Sequence, residues 1–368
     1  INIFTIFNIV IVYLLKNITF KVIVMAKVLT FQDALLCSEK QSKRHLLLGN
    51  GFSIACRPNI FQYGKLFEQA DFSKLSTSAK KVFHKLDTQD FEKVISILRD
   101  SAIALKAYED VSAELLAKLS SDADSLRELL VQTIASSHPG WPGELEEREY
   151  AYCKAFLDNF NRVYTLNYDL LLYWVHMHTL EGEEPSSDDG FRKPYENYDA
   201  NYVTWDPSNS HDQNCFFLHG ALHLFDTGVE LQKYTWKNTN VRLIDQIRSA
   251  LKRNLFPVFV AEGKSDEKLS RIRHNDYLAK AFRSFSEIIG ALFIYGHSLA
   301  ANDEHYLKRI EVGKIKQLYV GVYGDPKSDG NKIIIARAER MSVNRGMKRG
   351  GLEVYFFDAE TANVWGNN

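Results

Sequence analysis

The chain has 368 residues, 45% hydrophobic and 25% charged, with a formal net charge of −1. This is the make-up of an ordinary globular protein with room for one large domain or two, and it carries no electrostatic case for nucleic-acid or membrane binding. Its four cysteines, Cys37, Cys56, Cys153 and Cys215, are scattered and form no Cys-x-x-Cys pair, so neither a zinc module nor a disulfide framework is expected and a reducing cytoplasm fits.

Residues 1–24 are very apolar but are broken by Lys16, Asn17 and Lys21. No run reaches the roughly 18–20 residues needed to span a bilayer, and the flanks are not those of a signal peptide. Met25-Ala26-Lys27 reads as a start, which makes 1–24 a non-native or ill-defined extension; the rival reading is a membrane-associating tail. Thr30 can cap a short helix over 31–38. Leu46 to Leu48 then reads as a buried parallel strand that breaks into Gly49-Asn50-Gly51, with Phe52 and Ser53 opening a helix. Strand, glycine turn and helix together offer backbone N–H groups to a phosphate, the glycines being needed for φ > 0 or for close approach. An ordinary turn is the competing reading, because the third glycine of the dinucleotide fingerprint is missing.

From 63 to 160 the apolar residues recur at helical spacing, as in Phe91, Val94, Ile95 and Leu98, or Leu126, Leu129, Leu130 and Ile134. This predicts an all-helical insertion between the first two strands. A strand at 162–166 and a helix at 170–177 follow. Residues 181–214, acidic and rich in Pro, Ser, Asp and Asn, read as a long surface loop. Further strands are expected at 215–218, 257–261, 291–295, 317–322 and 353–357, with helices at 241–252, 276–289, 303–310 and 332–341. The alternation predicts an α/β fold: a Rossmann-like, doubly wound, mainly parallel sheet formed by 25–62 and 161–368, with 63–160 as the helical module.

In such sheets ligands bind beyond the carboxyl ends of the strands. The strand ends here carry Gly49-Asn50-Gly51-Phe52-Ser53, Asn167-Tyr168-Asp169, His219-Gly220, Gly296-His297-Ser298 and Gly324-Asp325. Helix capping competes as a role for Asn167, Asp169, Ser298 and Asp303. A structural role competes for His219, but its place between Phe216-Phe217-Leu218 and a glycine favours the site. His223, His297 and His305 show no metal spacing and are assigned to surface or supporting positions. Lys268, Arg271, Arg273 and His274 read as a solvated helix face.

In this order, the glycine loop with Ser53, the run Thr165-Leu166-Asn167-Tyr168-Asp169, the pair His219-Gly220 and the turn Gly296-His297-Ser298-Leu299 resemble the SIR2 (sirtuin-like) superfamily, and more closely its bacterial members associated with phage defence. The resemblance covers about residues 44–325. It implies NAD+ as substrate, hydrolysed to ADP-ribose and nicotinamide, with no metal. It further implies that Gly49, Asn50, Gly51 and Ser53 hold the pyrophosphate and adjoining ribose, and that Asn167 and Asp169 place the nicotinamide ribose or the attacking water. His219 would be the general base, and Gly296, Ser298 and Asp325 would lie on the adenosine side. A homo-oligomer or a defence-system partner protein is implied as well. The sequence departs from the family at Arg57-Pro58-Asn59-Ile60-Phe61, where the nicotinamide-closing Asp-Phe-Arg segment is not recognisable. The four-cysteine zinc module of the deacetylases is also missing, which counts against a deacylase. A non-catalytic NAD or ADP-ribose sensor and an ADP-ribosyl transferase stay open as alternatives, the 181–214 segment then serving as gate or lid.

Overall fold

The computed structural model describes residues 28–366 apart from 109, 179–186, 196, 198, 236–240, 254, 261–264 and 347–349. The predicted extension at 1–24 lies outside the described residues. The strands are β1 (Val28–Leu29), β2 (Arg44–Leu48), β3 (Arg162–Thr165), β4 (Phe191–Arg192), β5 (Tyr202–Trp205), β6 (Cys215–Phe217), β7 (Leu224–Asp226), β8 (Leu231–Tyr234), β9 (Ile289–Tyr295), β10 (Lys314–Val322) and β11 (Glu353–Asp358). Seven form a sheet in the order β1-β11-β10-β9-β2-β3-β6, and every pairing in it is parallel. This is the expected doubly wound α/β architecture. Its inner strands are buried on both faces, which is why they are almost wholly apolar: Leu46, Leu47 and Leu48 in β2 and Leu292, Phe293 and Ile294 in β9 are completely buried.

The chain runs from β2 outward to β3 and β6, then returns to β9 on the other side of β2. The connections therefore leave in opposite directions at the β2–β9 boundary, and a crevice opens beyond the ends of those strands. Helices fill the span from β2 to β3, the longest being Phe91–Leu105 and Ala113–Ser137. Asp90 and Ser112 cap these two by accepting from the N–H groups of Lys93 and Leu115, both at 3.1 Å. Because the short edge strand β1 precedes β2, the helical insertion lies between the second and third strands of the chain, not the first two.

Two expectations are corrected. Part of the predicted 181–214 loop is structured: β4 and β5 pair with β8 and β7 in a second, antiparallel sheet of order β4-β5-β8-β7. Its strands are very short, and one inward position of β8 is Lys233, buried against Asp189 and lying 5.1 Å and 4.9 Å from the ring centres of Tyr173 and Phe191. A charge on the inner face hides the alternation that marks a strand. The predicted strand at 257–261 joins neither sheet. It makes an isolated bridge from Phe259 to Gly220, and the Val260 N–H donates to the His219 carbonyl at 2.9 Å. The helix expected at 332–341 is longer, Asp329–Arg345, because Ser328 caps it. No helix among the described residues is long and apolar enough to cross a membrane.

Candidate functional site

The crevice holds a cavity of about 630 Å³, lined by the loops that follow β2, β3, β6, β9 and β10 and roofed by the insertion through Phe61, Leu130 and Ile134. Gly49, Asn50, Gly51, Asn167, Asp169, His219, Gly296 and Ser298 all line it. Most of the residues singled out in the sequence are thus gathered in one place. Ser53 lies behind the lining, fully buried. Asp325 does not reach the cavity among the described residues. It is exposed, and its side chain accepts from the Lys327 N–H in a turn.

The glycines are required, but for a different reason than the phosphate reading supposes. Neither Gly49 nor Gly51 has a positive φ. A Cβ at Gly51 would stand 2.4 Å from the Gly296 Cα, and one at Gly49 would stand 2.6 Å from the Gly296 carbonyl oxygen. The β2 loop therefore packs backbone to backbone on the β9 turn, where Gly296 itself has φ +70°. The N–H groups of Gly49 and Gly51 already donate to the Tyr295 and Gly296 carbonyls, at 2.9 and 2.8 Å. Asn50 ties the same loop to the insertion by donating to the Phe61 carbonyl at 3.0 Å.

Asn167 donates through Nδ2 to the Gly49 carbonyl at 3.1 Å and to Ser53 Oγ at 2.9 Å. Ser53 Oγ donates in turn to Asp169 Oδ2 at 2.5 Å, and Asp169 Oδ1 accepts from the Leu171 N–H at 2.9 Å where helix Leu171–Met177 begins. Burial raises the Asp169 carboxyl, while the Ser53 hydroxyl and the Leu171 N–H counteract. Asp169 therefore serves as the helix-start acceptor that the sequence allowed. Arg57, in the segment that departs from the sirtuin pattern, is engaged by both carboxylate oxygens of Glu149, at 2.5 and 2.9 Å.

Around His219 the cavity meets a buried charged cluster. His219 Nε2 stands 3.2 Å from His305 Nε2 and 3.7 Å from Asp303 Oδ1. Asp303 Oδ2 accepts from His297 Nε2 at 3.0 Å, and Oδ1 accepts from Lys268 Nζ at 3.4 Å. His297 Nδ1 accepts from the Leu299 N–H at 3.0 Å, which places the His297 proton on Nε2. Lys268 also donates to Glu92 Oε2 at 3.3 Å, and Asn302 donates to the same oxygen at 3.2 Å. Burial holds His219 well below the usual histidine range and His305 at about 4. Burial alone would raise Asp303, but the His297 hydrogen bond and the charge of Lys268 hold its carboxyl well below the carboxylate range. Burial pushes Glu92 up to about 7 against the pull of Lys268.

Several sequence assignments change here. Lys268 is 1% exposed and belongs to this cluster, not to a solvated helix face. His297 and His305 are buried beside His219, and His223 is completely buried. Asp303 stands at the start of its helix as predicted, yet its side chain caps nothing there and faces the histidines. Nothing in the sequence marks Glu92 or Lys268, because reading by pattern sends isolated charges on helices to solvent.

Residues 46–365 match the profile of a family described as a domain of unknown function, DUF4917. The chain belongs to that family. The match runs from within β2 past β11, so the helical insertion, both sheets apart from β1, and the charged cluster are all parts of the DUF4917 unit. No curated protein matches the chain.

Within this DUF4917 site, one ligand atom each from His219, Asp303 and His305 lies within 4.8 Å of the others, a set able to hold a metal ion. The charge around it argues otherwise. The Lys268 ammonium is 3.4 Å from Asp303 Oδ1, so a divalent cation would sit beside a buried positive charge and compete with it for the Asp303 carboxylate. The donor set suits a hydrogen-bonded pair of imidazoles better. Chemically, the cavity offers a neutral buried histidine, a carboxylate held ionised behind it, and a polar side chain, Asn167, fixed at the end of the neighbouring strand β3.

Proposed function

We propose that this DUF4917 protein binds NAD+ across the crevice and hydrolyses its nicotinamide–ribose bond, releasing nicotinamide and ADP-ribose. The observation that carries this reading is the convergence of Asn167, His219 and the Gly49-Asn50-Gly51 loop, from three different strand ends, on one cavity at the point where the sheet reverses direction. The motif order that resembles the SIR2-like phage-defence proteins supports the same reading, and with it a cytoplasmic setting and a defence-system partner.

The chemistry asks little of the protein. The nicotinamide ring is cationic in NAD+ and leaves as a neutral molecule, so no acid is needed. Positive charge develops on the ribose, and the site must hold the sugar, orient a water and accept its proton. Asn167, anchored by Gly49 and Ser53, is the group fixed to position the ribose or the water. His219, kept neutral by burial, is the base. The Asp303 carboxylate puts negative charge beside His219.

The test is nicotinamide release, followed by chromatography, for the protein and for Asn167→Ala and His219→Ala. Each substitution is expected to lower turnover by roughly 10² or more while circular dichroism shows the fold retained. Wild-type rates in both variants would strip Asn167 and His219 of these roles, and no nicotinamide release by the unmodified protein would sink the hydrolase. A nucleotide-binding sensor is the second reading. It is favoured by the internal use of both Asp169 oxygens, which commits a member of the implied catalytic set to the fold. Tight NAD+ binding without nicotinamide release would select it.

A further inference from the structure

His219 is not an isolated base. Its Nε2 faces His305 Nε2 at 3.2 Å, and His305 Nδ1 lies 3.2 Å from Ser265 Oγ. Two imidazole nitrogens at that distance share one proton, since two N–H groups would clash and two lone pairs would repel. His219 Nδ1 has no hydrogen-bond partner among the described residues, and His219 lines the cavity. With the shared proton on His219 Nε2, the Nδ1 lone pair is the atom left for the cavity, and His305 Nδ1–H donates to Ser265. Both rings are buried, and Tyr306 packs against each, at 5.5 Å from His219 and 4.6 Å from His305 between ring centres. The ring pair is thereby held in register.

We propose that His305 is a positioning residue that acts through His219: it fixes the tautomer with a free Nδ1 and takes over the Nε2 proton as Nδ1 accepts one from water. This rests on the hydrolase reading. As the C–N bond breaks, its electron pair leaves with nicotinamide and the water oxygen bonds to the ribose carbon. The water proton goes to His219 Nδ1, and the His219 Nε2 proton passes to His305 Nε2. One positive charge then rests on His305, with its Nδ1–H still donating to Ser265. The charged and titratable groups packed round the two rings are Asp303, His297, Lys268, Glu92, Tyr168 and Tyr306. Of these, the Asp303 carboxylate, 3.7 Å from His219, supplies the compensating negative charge, and the His297 and Lys268 hydrogen bonds hold it in place. The geometry also gives a use to four buried groups, His305, Asp303, His297 and Lys268, that hydrolysis by a lone histidine would leave idle.

Two measurements on the full chain test this, one of them independent of activity. Nitrogen NMR of the ¹⁵N-histidine-labelled protein should show scalar coupling across a His219 Nε2–H to His305 Nε2 bond, absent in His305→Phe and in His305→Gln. In kinetics, His305→Gln keeps an acceptor for His219 Nε2–H but cannot take the proton. It should lower kcat by about 10²-fold with KM nearly unchanged, and should flatten the curved dependence of kcat on the fraction of heavy water to a straight line. Wild-type kcat in His305→Gln overturns the proposal, as does turnover without the coupling, or two unprotonated Nε2 atoms on a copurifying metal ion. Coupling in a protein that releases no nicotinamide overturns instead the hydrolase reading on which the relay depends.

Discussion

On the β2–β3 side of the cavity, Ser53, Asn167 and Asp169 use their polar atoms on one another and on the backbone at Gly49 and Leu171. Around His219, the residues Lys268, Asp303, His297 and His305 are buried with it beside the half-buried Glu92, with ionic contacts in place of a closed set of short hydrogen bonds. The first wall holds no ion pair among the described residues, and its effect on a ligand comes through shape. The second stores charge, and its state depends on pH and on the seating of the helical module, since Glu92 is carried by helix Phe91–Leu105. On the proposed hydrolase reading, one cavity then separates the positioning of a substrate from the handling of its proton.

The sharpest way to break this contrast is Lys268→Met. It leaves the buried Asp303 and half-buried Glu92 without their shared cation, and removing one partner of a buried ion pair costs about 3–5 kcal/mol. Urea unfolding should show that loss, and adding Glu92→Gln to the same chain should recover part of it. A Lys268→Met protein as stable as the parent would mean that the charged wall is open to water.

The second prediction uses acid. His45, His138, His176 and His305 are all lowered to about 4 by burial, against about 6.5 when unfolded. Between those values the unfolded chain binds more protons, so stability falls as pH falls from 6.5 towards 4. Glu92 works in the opposite sense. With its folded value raised to about 7, the folded chain binds the extra proton above pH 4.5, and this contribution is lost as pH rises through 7. Glu92→Gln should therefore make the acid loss of stability steeper, by at most about 1.4 kcal/mol per pH unit between 4.5 and 7. Unfolding midpoints across that range check it, and an unchanged slope would remove Glu92 from the buried cluster.

The sequence made the first wall legible and hid the charged one, for reasons visible in particular residues. The parallel strands announce themselves because both faces are buried: Leu46-Leu47-Leu48 and Leu292-Phe293-Ile294 are unbroken apolar runs. The residues directly after such strands are bound to collect at one edge, so Gly49, Asn167, His219 and Gly296 follow from topology. Glu92, Lys268 and Asp303 meet across 176 and 35 positions of chain, and the helices that carry Glu92 and Lys268 have no other buried charge. No local period reports a contact of that kind. The small antiparallel sheet was lost for a related reason, with strands of two to four residues and a lysine at an inward position.

The smallest effect expected is at the first wall, with Ser53→Ala. Ser53 Oγ accepts from Asn167 and donates to Asp169, so its removal breaks two hydrogen bonds and leaves Asp169 Oδ2 without a donor. A buried acceptor stranded in this way costs about 1–3 kcal/mol. An ionised Asp169 suffers more than a protonated one, so its carboxyl should rise further and the stability deficit should grow from acid towards neutral pH. The Asn167 side chain keeps its bond to the Gly49 carbonyl but loses its second anchor. A site that acts through shape should then bind NAD+ less tightly while its pH–rate profile, set at the charged wall, stays where it was. A shifted profile in Ser53→Ala would show that the two walls titrate as one unit and would end the division of labour argued here.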